Sequence, residues 1–360
     1  MKISIITIVS LTNYGSVLQA FALYKYLLDC KHLVEIINYY PQYSSDNWIN
    51  NFRKNIWDIF MANRKEKFKK FIRANIRLSE NSYSNRFELQ KFPPKADIYI
   101  AGSDQIWNSE ITLGDPSYFL DFIQSDTKIS YASSFGRTNI SLNELSEIKV
   151  YLNKFEAISV REESARDLLA GCGFNNVDVV LDPIFLLDKN DYIKLSSPPQ
   201  YKHYLLIFTY ERNDTLDLVV KLVTEKLKIR SILIGPPRKT VKCDVHVKKA
   251  GPEDFIGLIE GADYIITSSF HGTAFSILFN KNFITVAPSS RKTRLDNLLS
   301  IVGLENRLIS EPNNIDIERI MKPINYKAPL DKLNKQIIQS KKFLSETITS
   351  LEKIMHEKIN

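Results

Sequence analysis

The sequence predicts an α/β protein made of two Rossmann-like halves facing each other across a cleft. Three observations predict it. Apolar, strand-like runs alternate with helical patterns, as parallel βαβ units do. The alternation breaks at "LDPIFLLDKNDYIKLSSPPQYKH", where Pro183, Pro198 and Pro199 with neighbouring serines interrupt any periodicity, and it then restarts. A chain of 360 residues also exceeds one ordinary core. The expected division is residues 1–188, residues 200–325, and a terminal helix over 330–360.

In the first half, strands are expected near Lys2–Val9, Val34–Asn38, Ile98–Ala101, Ala157–Val160 and Val177–Val180. The opening "MKISIITIVSLTNYGS" reads as the first of them: its apolar part is too short for a signal peptide and alternates as a strand does. In the second half, strands near Tyr204–Thr209, Ser231–Ile234, Tyr264–Thr267 and Phe283–Val286 alternate with helices such as Leu216–Leu227 and Phe255–Ile259. The long polar helix that follows "NYKAP" is expected to return and brace the first domain.

Composition narrows the class. Hydrophobic residues at 44% and charged residues at 25% belong to a folded globular chain rather than a disordered one. Cys30, Cys172 and Cys243 are scattered, with no C-x-x-C spacing and no histidine at ligand distance, so neither a disulfide framework nor a zinc site is expected. That usage fits a reducing cytosol. No run reaches the roughly 20 apolar residues of a membrane-spanning helix.

Residues 51–78, "NFRKNIWDIFMANRKEKFKKFIRANIRL", stand apart. Nine Lys or Arg oppose two acids, with Phe52, Ile56, Phe60, Phe68, Phe71, Ile72 and Ile76 at mostly helical spacing. Two readings fit a basic amphipathic helix: it lies on an anionic membrane surface, or it packs its apolar stripe on the domain and solvates its charges. The formal charge of +7 adds to the first. Nucleic-acid binding is not expected, since no helix-turn-helix, RNP or zinc-finger pattern appears.

In "DYIITSSFHGTAFSILF", residues 263–279, a buried-strand pattern gives way to a helical one at His271. Open α/β sheets bind ligands at such junctions, because the first-turn N–H groups of the helix are unpaired and carry partial positive charge.

Six segments in order, "NYGSVLQAFAL", "AGSDQIWN", "SYASSFG", "ISVREESARDLL", "VLDPIFLL" and "SSFHGTAFSILF", resemble bacterial polysaccharide pyruvyl transferases over roughly Met1–Gly303. The resemblance implies a GT-B-like pair of domains and transfer of a pyruvyl group from phosphoenolpyruvate to two sugar hydroxyls as a cyclic ketal. It also implies an acceptor saccharide, often carried on a polyprenyl diphosphate at the inner face of the cytoplasmic membrane. No metal and no further cofactor are expected. It assigns His271 to the donor site as phosphate contact or proton source, either of which suits an imidazole; Gly272 would allow close backbone approach.

Arg161 opens a helix in "AISVREESARDLL", where a cation is disfavoured by about 0.3–1 kcal/mol. An anion to bind explains it better, and its planar fork suits a carboxylate or phosphate; a salt bridge to a neighbouring acid is the competing reading. Many relatives carry Arg-Leu before the histidine, where this chain has Ser269 and Phe270. Ser269 with the helix amides, or Arg291 or Arg294, is expected to replace that cation.

The first-domain motifs are expected to meet the acceptor. Asn13, Tyr14 and Gly15 form a turn, with Gln19 one helical turn further on. Ser103, Asp104, Gln105, Trp107 and Asn108 follow a strand and offer an aromatic face with hydroxyl-binding groups. Asp104 is the expected base, against the reading that it caps a helix and Trp107 is core. Ser133 and Ser134 lie on another cleft loop. A GT-B glycosyltransferase using a nucleotide sugar shares this architecture, and the missing arginine leaves room for a non-catalytic saccharide-binding protein.

Overall fold

The apolar runs pair into two parallel sheets, one in each half. The computed structural model describes residues 1–9, 12–41, 48–124, 127–211, 213–235, 241–288, 292–313 and 315–359, with backbone alone for 48–61 and 358–359. The first-half strands are β1 (Lys2–Ile6), β2 (Leu33–Tyr39), β3 (Leu78–Tyr83), β4 (Ile98–Ala101), β5 (Lys128–Ser130), β6 (Ile158–Val160) and β7 (Val177–Val179). Their order is β3-β2-β1-β4-β5, and bridges from Ile129 to Ala157 and from Ser133 to Val160 carry the layer on to the β6-β7 pair. The second half adds β8 (Tyr204–Phe208), β9 (Arg230–Ile234), β10 (Val245–Val247), β11 (Tyr264–Thr267), β12 (Asn282–Val286) and β13 (Leu308–Ile309), in the order β10-β9-β8-β11-β12-β13.

Each half is therefore an open parallel sheet with its first strand central. Helices cover both faces, which is why the inner strands are apolar throughout: β4 and β8 are buried at every residue. Ile5 pairs with Ile36 on one side and Ile100 on the other, all three inaccessible.

Four strands were not expected: β3, β5, β10 and β13. β3 exposes three residues of "LSENSY" at a sheet edge, and an edge strand needs no apolar run. β5 carries Lys128 inside the sheet, where its ammonium donates to the carbonyls of Leu120 and Ile123.

The helix after β2 spans Trp48–Asn75. Phe68, Phe71, Ile72 and Ile76 are buried in the core, whereas the side chains of Phe52, Ile56 and Phe60 lie outside the described residues. The last helix, Lys327–Ile359, returns to the first half. The Leu181 N–H donates to Ser340 Oγ at 2.9 Å, and Phe343 packs on Tyr131 with ring centroids 6.4 Å apart. Among the described residues, no helix is long and apolar enough to cross a membrane.

The halves meet at the carboxyl ends of both sheets. Tyr14, at the start of helix Tyr14–Asp29, crosses the seam, stacking on Phe255 at 4.7 Å and donating its hydroxyl to the Ala250 carbonyl.

Candidate active site

Every polar group in this region follows the carboxyl end of a strand, where open α/β sheets bind ligands. His271 lies in the first turn of helix Phe270–Leu278 after β11, with Ser269 as N-cap. Arg161 follows β6, and Asp182 comes shortly after β7, capping a short 3-10 turn.

These three side chains are buried together. Arg161 is 3% exposed, His271 6% and Asp182 1%. Arg161 Nη1 donates to Asp182 Oδ2 at 2.7 Å, and its Nε reaches Glu162 at 3.3 Å. His271 Nε2 stands 3.4 Å from the same Asp182 oxygen, within ion-pair range but without hydrogen-bond geometry. Asp182 Oδ1 accepts from the Ile184 N–H, and Ser134 donates to Glu162 at 2.6 Å. Burial pushes the Asp182 carboxyl up, but the His271 imidazole and the Arg161 guanidinium facing it prevail and hold it down at about 2. Arg161 Nη2 is buried and makes no hydrogen bond among the described residues.

On the imidazole's other side is the first half. A Cβ on Gly15 would overlap the His271 ring, so glycine there is what lets the first helix touch the second-half histidine.

A cavity of about 170 Å³ opens between the halves, lined among others by Asn13, Asp104, Gln105, Ser269, His271 and Arg294. Tyr210 and Glu211, which follow β8, complete its wall. The Tyr210 hydroxyl donates to Asn13 Oδ1, whose side chain also caps the first helix. Asp104 sits in the left-handed region at φ 71, as does Ala132 at φ 52 in the adjoining loop. Strained backbone of this kind clusters at ligand-binding loops.

Arg161 does not line this cavity. Its guanidinium lies 4.6 Å over the Phe270 ring and borders a separate void of about 10 Å³, room for one water at most. Phe270 and Arg294 border both spaces. The expected direct donor contact at Arg161 is therefore corrected: the residue is held by Glu162 and Asp182 behind Phe270. Arg294 is the cation at the cavity, while Arg291 lies outside the described residues.

Several expected acceptor groups are also placed elsewhere. Trp107 is 1% exposed, stacks on Phe119 and donates its Nε1 to the Tyr118 carbonyl, so it is core. Asn108 caps helix Ser109–Thr112. Ser103 is inaccessible. Ser133 donates to the carbonyls of Ala101 and Gly102, and Ser134 is taken by Glu162. Gln19 donates to Thr7 and the Ser16 carbonyl. Tyr14 is buried, its hydroxyl pushed up to about 12 mainly by that burial. A Cβ on Gly272 would overlap Thr267 and crowd Phe208, so this glycine serves helix-to-sheet packing rather than ligand approach.

Sequence reasoning assigned no role to Asp182, Tyr210 or Glu211, whereas Glu162 is one of the neighbouring acids weighed as a salt-bridge partner of Arg161. The signal for Asp182 was an acid inside the apolar run "VLDPIFLL"; for Tyr210 and Glu211 it was their position just past a strand.

Two parallel-sheet lobes joined at a polar cavity form a GT-B-like architecture. A profile described as polysaccharide pyruvyl transferase matches residues 13–290, and the chain belongs to that family. Among solved structures, UDP-GlcNAc 2-epimerase from Neisseria meningitidis, bound to UDP-GlcNAc, aligns with TM-score 0.58 at 12% identity, covering 97% of this chain and 100% of that one. The Methanocaldococcus jannaschii UDP-GlcNAc 2-epimerase, in complex with UDP-GlcNAc and UDP, aligns with TM-score 0.56 at 14% identity, over 95% and 100%. At those identities the likeness is one of fold. No curated protein matches in sequence.

Proposed function

We propose that the chain transfers the pyruvyl group of phosphoenolpyruvate to two hydroxyls of a saccharide, forming a cyclic ketal and releasing phosphate. The observation that carries this reading is His271 in a helix first turn, backed by the buried Asp182 carboxylate and bordering the cavity that Arg294 and Asp104 share. The donor's charges then meet the open amides of helix Phe270–Leu278 and the Arg294 guanidinium. His271 gives its proton to the methylene carbon, leaving an oxocarbenium-like centre that one sugar hydroxyl attacks. Phosphate departs and the second hydroxyl closes the ketal. Of the two hydroxyl protons, one replaces the proton His271 gave and the other leaves with phosphate. Asp104 is the base that collects them. Arg161 acts from behind Phe270, fixing Asp182 and adding positive potential. Closure of the halves keeps out water, which would capture the cation.

The test is incubation with phosphoenolpyruvate and a panel of saccharides, following phosphate and a product mass increased by pyruvate less one water. His271→Ala is expected to abolish both signals, and Arg294→Ala to raise the KM for phosphoenolpyruvate. Full phosphate release by His271→Ala would remove this site from consideration. A melting temperature raised by nucleotide sugars but not by phosphoenolpyruvate would favour glycosyl transfer instead.

A further inference from the structure

The basic helix is the one sequence motif that the cavity chemistry does not absorb. Phe68, Phe71, Ile72 and Ile76 are taken up by the core, so what residues 62–77 show to solvent is mainly charge. Lys67, Lys69, Lys70, Arg73 and, just past the helix, Arg77 are exposed, with Glu66 as the exposed acid among them. Across the seam the second half contributes exposed Lys248 and Lys249. A groove of about 710 Å³ runs between, lined by Lys67, Lys70, Arg73, Lys249, Glu66 and Asn63, with Ala74. Lys67 pairs with Asp254 at 2.7 Å and Arg73 approaches Glu66 at 3.7 Å. Lys69, Lys70, Arg77, Lys248 and Lys249 form no salt bridge among the described residues.

We propose that this face, Asn63 to Arg77 together with Lys248 and Lys249, docks on an anionic phospholipid bilayer. Concentrated like charge of this kind opposes folding and is offset by a polyanionic partner. None of the exposed large apolar side chains among the described residues lies on the face, so contact is electrostatic, without insertion. A bilayer fits better than nucleic acid: five of the seven cations are lysines, which bind phosphates as point charges, and among the described residues of this face no exposed aromatic offers a base a stacking surface.

The opposite side of the same helix reaches the turn beside the cavity. Arg64, 1% exposed, donates to the Thr12 carbonyl at 2.8 Å and lies 4.8 Å over the Tyr14 ring, holding the turn that presents Asn13. A helix with its side chains is roughly 10–12 Å across, and that thickness separates docked headgroups from the cavity rim. The docking does not depend on what the cavity catalyses.

The experiment is flotation of the full chain with phosphatidylcholine vesicles, with and without about one third phosphatidylglycerol, at ~0.1 M and ~0.5 M salt. Expected is flotation with the anionic vesicles alone, abolished at the higher salt. The quadruple variant Lys69→Gln, Lys70→Gln, Arg73→Gln, Arg77→Gln is expected to lose roughly 100-fold or more in partitioning, from the usual gain per cation near an anionic surface, with a melting temperature no lower than that of the wild type. If it does not fold, Lys248→Gln with Lys249→Gln is expected to lose about 10-fold. Failure of the wild type to float with anionic vesicles, equal flotation of the folded variant, or stronger retention on duplex DNA than on vesicles of equal phosphate content would overturn the proposal.

Discussion

Arg64 and Arg161 are both almost inaccessible, yet opposite means hold them. Arg161 is gripped by two carboxylates, Asp182 and Glu162, and shares the first with His271. Among the described residues Arg64 has no carboxylate partner: it lies over the rings of Tyr14 and Phe68 at 4.8 and 5.4 Å and donates to the Thr12 carbonyl. The difference separates two uses of a buried cation. Among carboxylates it fixes charge beside a reacting group, whereas between rings it mainly supplies packing volume and a rigid turn.

The largest effect expected from this contrast is at Asp182. Asp182→Ala leaves Arg161 and His271 without their shared carboxylate and Arg161 with Glu162 alone at 3.3 Å, and breaking a buried ion pair costs about 3–5 kcal/mol. Urea denaturation should register that loss, with phosphate release falling in parallel; a loss below about 1 kcal/mol would place Arg161 in the packing class with Arg64.

Next comes Arg64. Arg64→Ala is expected to cost about 3 kcal/mol, from lost ring contacts and a Thr12 carbonyl left without its donor. Arg64→Met should recover most of it, because no counter-charge is stranded. If methionine fails to recover stability, the guanidinium's charge rather than its volume is what matters at that site.

Smallest is the effect of acid. Because Asp182 is held at about 2, below the ordinary carboxylate range, the stability it contributes is complete above about pH 4 and is lost as pH falls through 2. The loss is on the order of 2 kcal/mol. Stability measured from pH 5 to 2 should therefore flatten in Asp182→Asn, while Arg64→Met should keep the wild-type slope.

The fold was legible where burial is two-sided. Tyr204–Phe208 and Ile98–Ala101 are covered on both faces and so read as unbroken apolar runs. Leu78–Tyr83 did not, because half of it faces water. At the site, motifs were legible but side-chain direction was not. In "AGSDQIWN" the backbone turns at Asp104, sending Asp104 and Gln105 to the cavity while Ser103 and Trp107 go inward. Spacing cannot reveal that Trp107 fills a hole between Phe119 and Phe135. Asp182 was missed for a related reason: its partners lie at sequence distances that no local pattern encodes.

The returning helix carries a consequence for synthesis. The Leu181 amide is satisfied by Ser340, and Tyr131 is covered by Phe343, so residues made later complete a lobe made earlier. Translation runs at about 5–20 residues per second, and during that interval the nascent first lobe presents an unfinished flank until Ser340 and Phe343 have emerged to cover it.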